Sequence, residues 1–206
     1  AWLASPTLPD HQLIVFARSD DYFFGVLHSR LHEVWALKLG TRLETRPRYT
    51  PTTCFETFPL PTSTSEQETA IAAAAHDLNT LRENWLNPPE WTCIETIEFP
   101  GTVGGPWDRY IDTATISDRG AFKLGTVKYP RLVPRDPASA ANLAKRTLTN
   151  LYNQRPTWLA DAHRRLDEAV FAAYGWPSNL TEDKILERLL ELNHVRTTTL
   201  GAEASA

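Results

Sequence analysis

Apolar and polar positions along the chain fall into blocks of different period, and the blocks predict the elements. The run Leu13–Phe16 in "HQLIVFARSD" is strand-like or irregular and ends in turn residues. Phe24, Leu27, Leu31, Val34 and Trp35 then recur at helical spacing, which predicts a single helix over Phe23–Leu39 with Gly40 as its stop. Thr50–Pro61 is β-branched and aromatic with prolines at both ends, so it is expected as an extended edge strand or loop. Ile71, Ala74, Ala75, Leu78, Leu81 and Trp85 stripe one face of a helix over Ser65–Leu86, with "SEQE" as a capping box. "NPPEW" breaks it.

Between Trp91 and Val133 the period changes. Short β-like runs, "IETIEFPG", "DRYIDTATI" and "KLGTVKYPRLV", are separated by Gly and Pro and predict a small β insertion. Asp136-Pro137 supplies an N-cap and a first-turn proline, and three helices follow at about 137–153, 157–174 and 181–193. The tail "TTTLGAEASA", residues 197–206, is expected to be disordered. The fold class is therefore α+β, with a mostly helical C-terminal part that carries a β insertion at about 91–133.

Composition changes this picture only by exclusion. A chain of 206 residues can bury a substantial core, and a net charge of -4 rules out a histone-like polycation, so any anion-binding surface is local. Cys54 and Cys93 form no CxxC pair and read as buried thiols of a reducing cytosol. No leader and no apolar run of membrane-spanning length is legible, so a cytoplasmic location with no membrane partner is expected. The lack of Met, with Ala1 first, points to a piece of a longer polypeptide.

Several motifs fail on context. "NPPE" (Asn87–Glu90) resembles the Asn-Pro-Pro-aromatic grip of amino-methyltransferases, but a helix precedes it and Glu90 replaces the ring, so it is a helix stop. "GTVGGPW" runs into Pro106-Trp107 rather than a helix and reads as a turn between strands. His28 and His32 stand at i, i+4 without a third ligand, so no metal site is assigned. Asn179-Leu180-Thr181 reads as a loop and N-cap. No catalytic residue is assigned.

Two features remain. In "TRLETRPRYT", Arg42, Glu44, Arg46 and Arg48 alternate, so that in one extended segment all four would project the same way. Arginine can chelate the major-groove edge of guanine and glutamate can accept from the cytosine amine, so mixed charge suits base reading. The bland alternative is a solvated loop with an internal Glu–Arg pair. The second feature is a basic run: Arg131, Arg135, Lys145, Arg146, Arg155, Arg164 and Arg165 face only Asp136 and Asp161. It suits phosphate contact or, equally, a solvated helical face.

Three segments, "SDDYFFGVLHSRLHEVWAL", "GTRLETRPRYTPTTCFETFPLP" and "KRTLTNLYNQRPTWLADAHRRLDEAVFAAYGWP", resemble the C-terminal region of the large single-chain DNA adenine methyltransferases of the MmeI-like type, including combined restriction-modification enzymes. The resemblance covers roughly residues 11–195. It implies that residues 1–61 are the C-terminal part of an α/β target recognition domain, and that residues 62–196 are a helical C-terminal domain. It implies base reading by Glu44, Arg46 and Arg48, with Pro47 departing from the aromatic common between the two arginines. Arg42, Tyr49, Lys145, Arg146 and Arg155 are expected on the DNA backbone. The implied partners are double-stranded DNA and an upstream methyltransferase domain of the same polypeptide. S-adenosylmethionine is expected as cofactor of the parent enzyme and not of this fragment. The competing expectation is a non-catalytic interaction module docking a protein through Trp91, Trp107 and Tyr110.

Overall fold

The computed structural model describes residues 2–3, 7–10, 13–44 and 46–203, with side chains at 43 and 199–203 left aside. The described chain divides into two compact units, one of Ala1–Asp10 with Arg82–Arg155, the other of His11–Leu81 with Pro156–Ala206. The architecture is α+β, as expected. Packing does not divide the chain near Pro61: residues on both sides of that point share the second unit.

In that second unit, Leu13–Phe16 is irregular rather than a strand. The single helix expected over Phe23–Leu39 is two, α1 (Asp21–His28) and α2 (Arg30–Leu39). Asp20 caps α1 by accepting from the Phe23 N–H at 2.8 Å. Ser29 breaks the run, because its hydroxyl donates to the Val26 carbonyl at 2.7 Å while its backbone is extended at ψ 156°. The N–H of Arg30, freed at the start of α2, donates to Asp167 at 2.8 Å.

Beyond α2, strands β1 (Thr41–Leu43) and β2 (Arg46–Arg48) pair antiparallel. The stretch after Thr50, expected as an extended edge strand or loop, is a loop that opens with a π-helical turn, Pro51–Phe55, in which the Glu56 N–H donates to the Pro51 carbonyl at 2.9 Å. Residues 57–62 are then held by side chains from far down the chain. Tyr174 donates to the Pro59 carbonyl at 2.8 Å, Asn193 to the Thr57 carbonyl at 2.6 Å, and Arg196 to the Leu60 carbonyl at 2.6 Å.

Helix α3 spans Ser65–Leu86, as the stripe predicts. Its capping box sits one residue earlier than "SEQE": Gln67 N–H donates to Thr64 Oγ1 at 3.3 Å and Thr64 N–H to Gln67 Oε1 at 2.9 Å. Ile71, Ala75 and Leu78 of α3 are fully buried, as are Leu159, Leu166, Val170 and Phe171 of α6 (Thr157–Ala173) and Ile185 and Leu189 of α7 (Glu182–Glu203). Helix α7 extends over residues 197–203, expected as a disordered tail. Thr197 and Thr198 return hydrogen bonds to the carbonyls of Asn193 and His194, and Arg196 ties the helix to Thr62 at 3.2 Å. Residues 204–206 of that expectation lie outside the described residues.

The other unit holds the β insertion as an antiparallel sheet in the order β3 (Thr92–Thr102), β5 (Phe122–Pro134), β4 (Ile111–Arg119). Gly104 and Gly105 lie in the turn leaving β3, as read from "GTVGGPW". One long helix was expected at 137–153; α4 (Pro137–Leu143) and α5 (Leu148–Gln154) are separate, because Thr147 caps α5 by accepting from Asn150 N–H at 3.1 Å. Asp136 caps α4 as expected, and hydrogen bonds from Ser139 hold its carboxyl below the ordinary range.

Helix α1 packs tightly against α3 and α6 at Gly25. A Cβ there would lie 2.8 Å from Ile71 Cγ2, 2.9 Å from Ala75 Cβ and 3.2 Å from Leu166 Cδ1. Gly25→Ala is therefore expected to destabilise by about 1–3 kcal/mol, against the stabilisation an alanine gives an exposed helix, as read from the urea midpoint.

Candidate nucleic-acid interface

The hairpin register fixes which side chains share a face. Thr41 pairs with Arg48, Arg42 with Pro47 and Leu43 with Arg46, so the chain reverses between Leu43 and Arg46. Glu44 adopts φ 58°, the left-handed region that tight hairpin loops require. The expected single extended segment is thus folded back on itself, and the four charged side chains do not form one row. Cross-strand partners share a face and alternate residues along a strand do too. Arg46 and Arg48 therefore sit on one face with Thr41, and Arg42 on the other with Pro47.

The loop is well exposed. Glu44 and Arg46 form an ion pair at 3.6 Å with side chains 76% and 81% exposed, the internal pair that the bland alternative anticipates. At such exposure the pair is worth little and can be exchanged for a ligand's polar groups at small cost. Arg42 and Arg48 are also exposed.

Tyr49 points the other way from an open phosphate contact. It is half-buried, its hydroxyl lies 2.9 Å from His32 Nε2, and burial pushes its pKa up to about 12. His32 is buried against Phe58, ring centroids 4.6 Å apart, and burial pulls its pKa down to about 4, so the ring is neutral. His32 Nδ1 is buried with no partner among the described residues. A bare lone pair there costs less than an orphan N–H, which favours Nε2–H donating to the Tyr49 oxygen. The histidine pair at 28 and 32 is divided by Ser29, and no metal-holding group occurs among the described residues.

The remaining backbone candidates, Lys145, Arg146 and Arg155, lie in the other unit. Lys145 and Arg155 are exposed. Arg146 is already engaged: its guanidinium stacks on Trp85 at 4.4 Å and Trp91 at 4.9 Å and donates to the Trp85 carbonyl at 3.3 Å. Much of the basic run is spent in the same way. Arg135 donates to the carbonyls of Pro89 and Thr92, Arg164 pairs with Asp161 and Glu168, and Arg165 lies 3.9 Å from Asp77. The aromatics expected to dock a protein are half-buried; Trp107 packs on Phe99 and Tyr129, and Tyr110 on Tyr129 at 5.1 Å.

A charged two-stranded ribbon raised on a helical platform has the form of a recognition element. Comparison with known proteins is consistent with that class: residues 1–62 match the family described as MmeI, target recognition domain, so the chain carries an MmeI-like target recognition region. DNA methyltransferase A of Bacillus subtilis (strain 168) is 31% identical over 77 residues, 37% of this chain and 9% of that protein. The solved type IIL restriction-modification enzyme MmeI in complex with DNA shares the fold at a TM-score of 0.55 and 23% identity, over 87% of this chain and 17% of that one. The chain thus spans a small part of the length of either.

The His32 environment carries a pH prediction. The folded state holds this pKa near 4, below the ordinary 6.5, so between those values the unfolded chain binds a proton that the folded chain refuses. Its contribution to stability is complete above about pH 6.5 and is lost as pH falls towards 4, a loss of order 3 kcal/mol. Urea unfolding at pH 7 and pH 4.5 is expected to show that loss in the wild type and a smaller one in His32→Gln.

Proposed function

We propose that this chain is the sequence-selecting and C-terminal portion of an S-adenosylmethionine-dependent DNA adenine methyltransferase, with β1–β2 as the base-reading element. The observation that carries the reading is the placement of exposed Arg46 and Arg48 on one face of a hairpin within the segment matching a target recognition domain. A two-stranded ribbon fits the major groove, where arginine addresses guanine and Glu44 can accept from cytosine. Residues 1–61 act as the end of the recognition domain and residues 62–196 as the C-terminal domain. Arg42, Lys145 and Arg155 serve as backbone contacts, whereas the Tyr49 hydroxyl is committed to His32 and Arg146 contributes only insofar as it leaves its tryptophan stack. The methyl transfer and its cofactor belong to an upstream domain, and the protein works in the cytoplasm.

Selection of the chain on randomised duplexes tests this reading. Glu44→Lys with Arg46→Asp keeps an attractive exposed pair, so folding is preserved while donor and acceptor exchange places. The double variant is expected to change the preferred base at one or two positions by about 5- to 150-fold and to leave affinity for unrelated DNA nearly unchanged. An unaltered preference would remove the hairpin as reader. Binding is also expected to weaken with salt, with a log–log slope of about -0.9 per neutralised phosphate, and a flat response would favour docking to protein.

A further inference from the structure

The hairpin is held at its base by one side of α2. His32, Ala36 and Gly40 stand four residues apart on that helix. At the incoming strand, the Gly40 N–H donates to the Ala36 carbonyl at 2.9 Å, and a Cβ on Gly40 would lie 2.3 Å from that same oxygen and 3.2 Å from the Arg48 carbonyl. The backbone of β2 can approach only because residue 40 lacks a side chain. At the outgoing strand, Tyr49 directly follows Arg48, and its hydroxyl meets His32 one and two turns back along α2 from Ala36 and Gly40. Phe16 meets the Tyr49 ring edge-on at 6.4 Å, and Phe55 and Phe23 lie against Phe16 at 4.7 Å and 5.8 Å. Thr41 and Thr50 close the base with a hydroxyl pair at 2.9 Å.

We propose that His32 and Tyr49 are positioning residues for base reading: they fix the outgoing strand to α2 and thereby set the aim of Arg46 and Arg48. This inference rests on the hairpin being the DNA reader. Arg46 and Arg48 are both exposed, so their direction follows from the backbone of β2. That backbone is only three residues long and is pinned immediately after Arg48. A bidentate contact tolerates little error in direction, so loosening the pin costs discrimination before it costs charge-driven affinity.

Tyr49→Phe removes the hydroxyl and keeps the ring among Phe16 and its neighbours. The experiment is randomised-duplex selection with the wild type, Arg46→Ala and Tyr49→Phe, together with affinity for one unrelated duplex and a thermal melt. Tyr49→Phe is expected to lose about fivefold or more of the preference at the positions that Arg46→Ala alters, with unrelated-duplex affinity within about twofold. Thr50→Val, which cuts the exposed bond at the hairpin base, carries the same expectation and stands in should Tyr49→Phe unfold. Unchanged preference in the folded variant overturns the inference. So does a uniform loss of affinity for all duplexes, which would make the Tyr49 hydroxyl a phosphate contact instead. A wild type with no base preference would overturn the reader itself, whereas a selective wild type with an equally selective Tyr49→Phe overturns the positioning role alone.

Discussion

The absence of a side chain at Gly25 governs where the hairpin can stand. It lets the α1 backbone lie against Ile71 and Ala75 of α3 and Leu166 of α6, closer than any Cβ permits. Four residues later Ser29 redirects the chain, and Asp167 of α6 receives the first free N–H of α2. The direction of α2 is therefore set by contacts to Ile71 and Ala75 of α3 and to Leu166 and Asp167 of α6. The hairpin begins where α2 ends. An exposed hairpin inherits its rigidity from this packing, which fits the general rule that precise sites stand on rigid elements.

Electrostatics separate the hairpin from the rest of the basic surface. Cations that look alike in composition differ in what they already hold. Arg146 is stacked between two indoles and Arg135 caps two carbonyls, so releasing either leaves polar or aromatic groups unsatisfied. Arg46 surrenders only a long, solvated contact to Glu44. A net charge of -4 is compatible with binding an anion for this reason, since the cations that matter are the uncommitted ones.

The sequence made the long regular elements legible and the short irregular ones obscure. The stripe of α3 repeats over six turns, and the β insertion announces itself by a change of period, so both are readable without tertiary knowledge. The break at Ser29 is invisible to a hydrophobic stripe, because Leu27 and Leu31 keep their spacing across it. The hairpin reversal is hidden for a different cause: alternating Arg and Glu looks the same in a continuous strand and in two strands joined by a tight loop, and Glu44 in a left-handed conformation gives no glycine or asparagine as a marker. The identities of the candidate reading residues were legible, but their facing was not. His32 is legible in the sequence only as half of an i, i+4 histidine pair; nothing local announces its burial, which depends on Phe58 and Tyr49 coming back over α2.

The division of the chain into two units bears on how it assembles during synthesis. Residues 82–155 form an interruption within the other unit, whose core joins Gly25 to Leu166 across more than half of the sequence. The sheet of β3, β4 and β5 involves only nearby segments and can pair as soon as Pro134 leaves the ribosome. The α1–α3–α6 core must wait for α6, and the carbonyls of Thr57 and Leu60 wait for α7. Until then the apolar faces of α1 and α3 are uncovered in the nascent chain, a window in which a slow or paused ribosome prolongs exposure to chaperones and to aggregation. The order of synthesis thus places the completion of the hairpin's platform last, although the hairpin itself is made early.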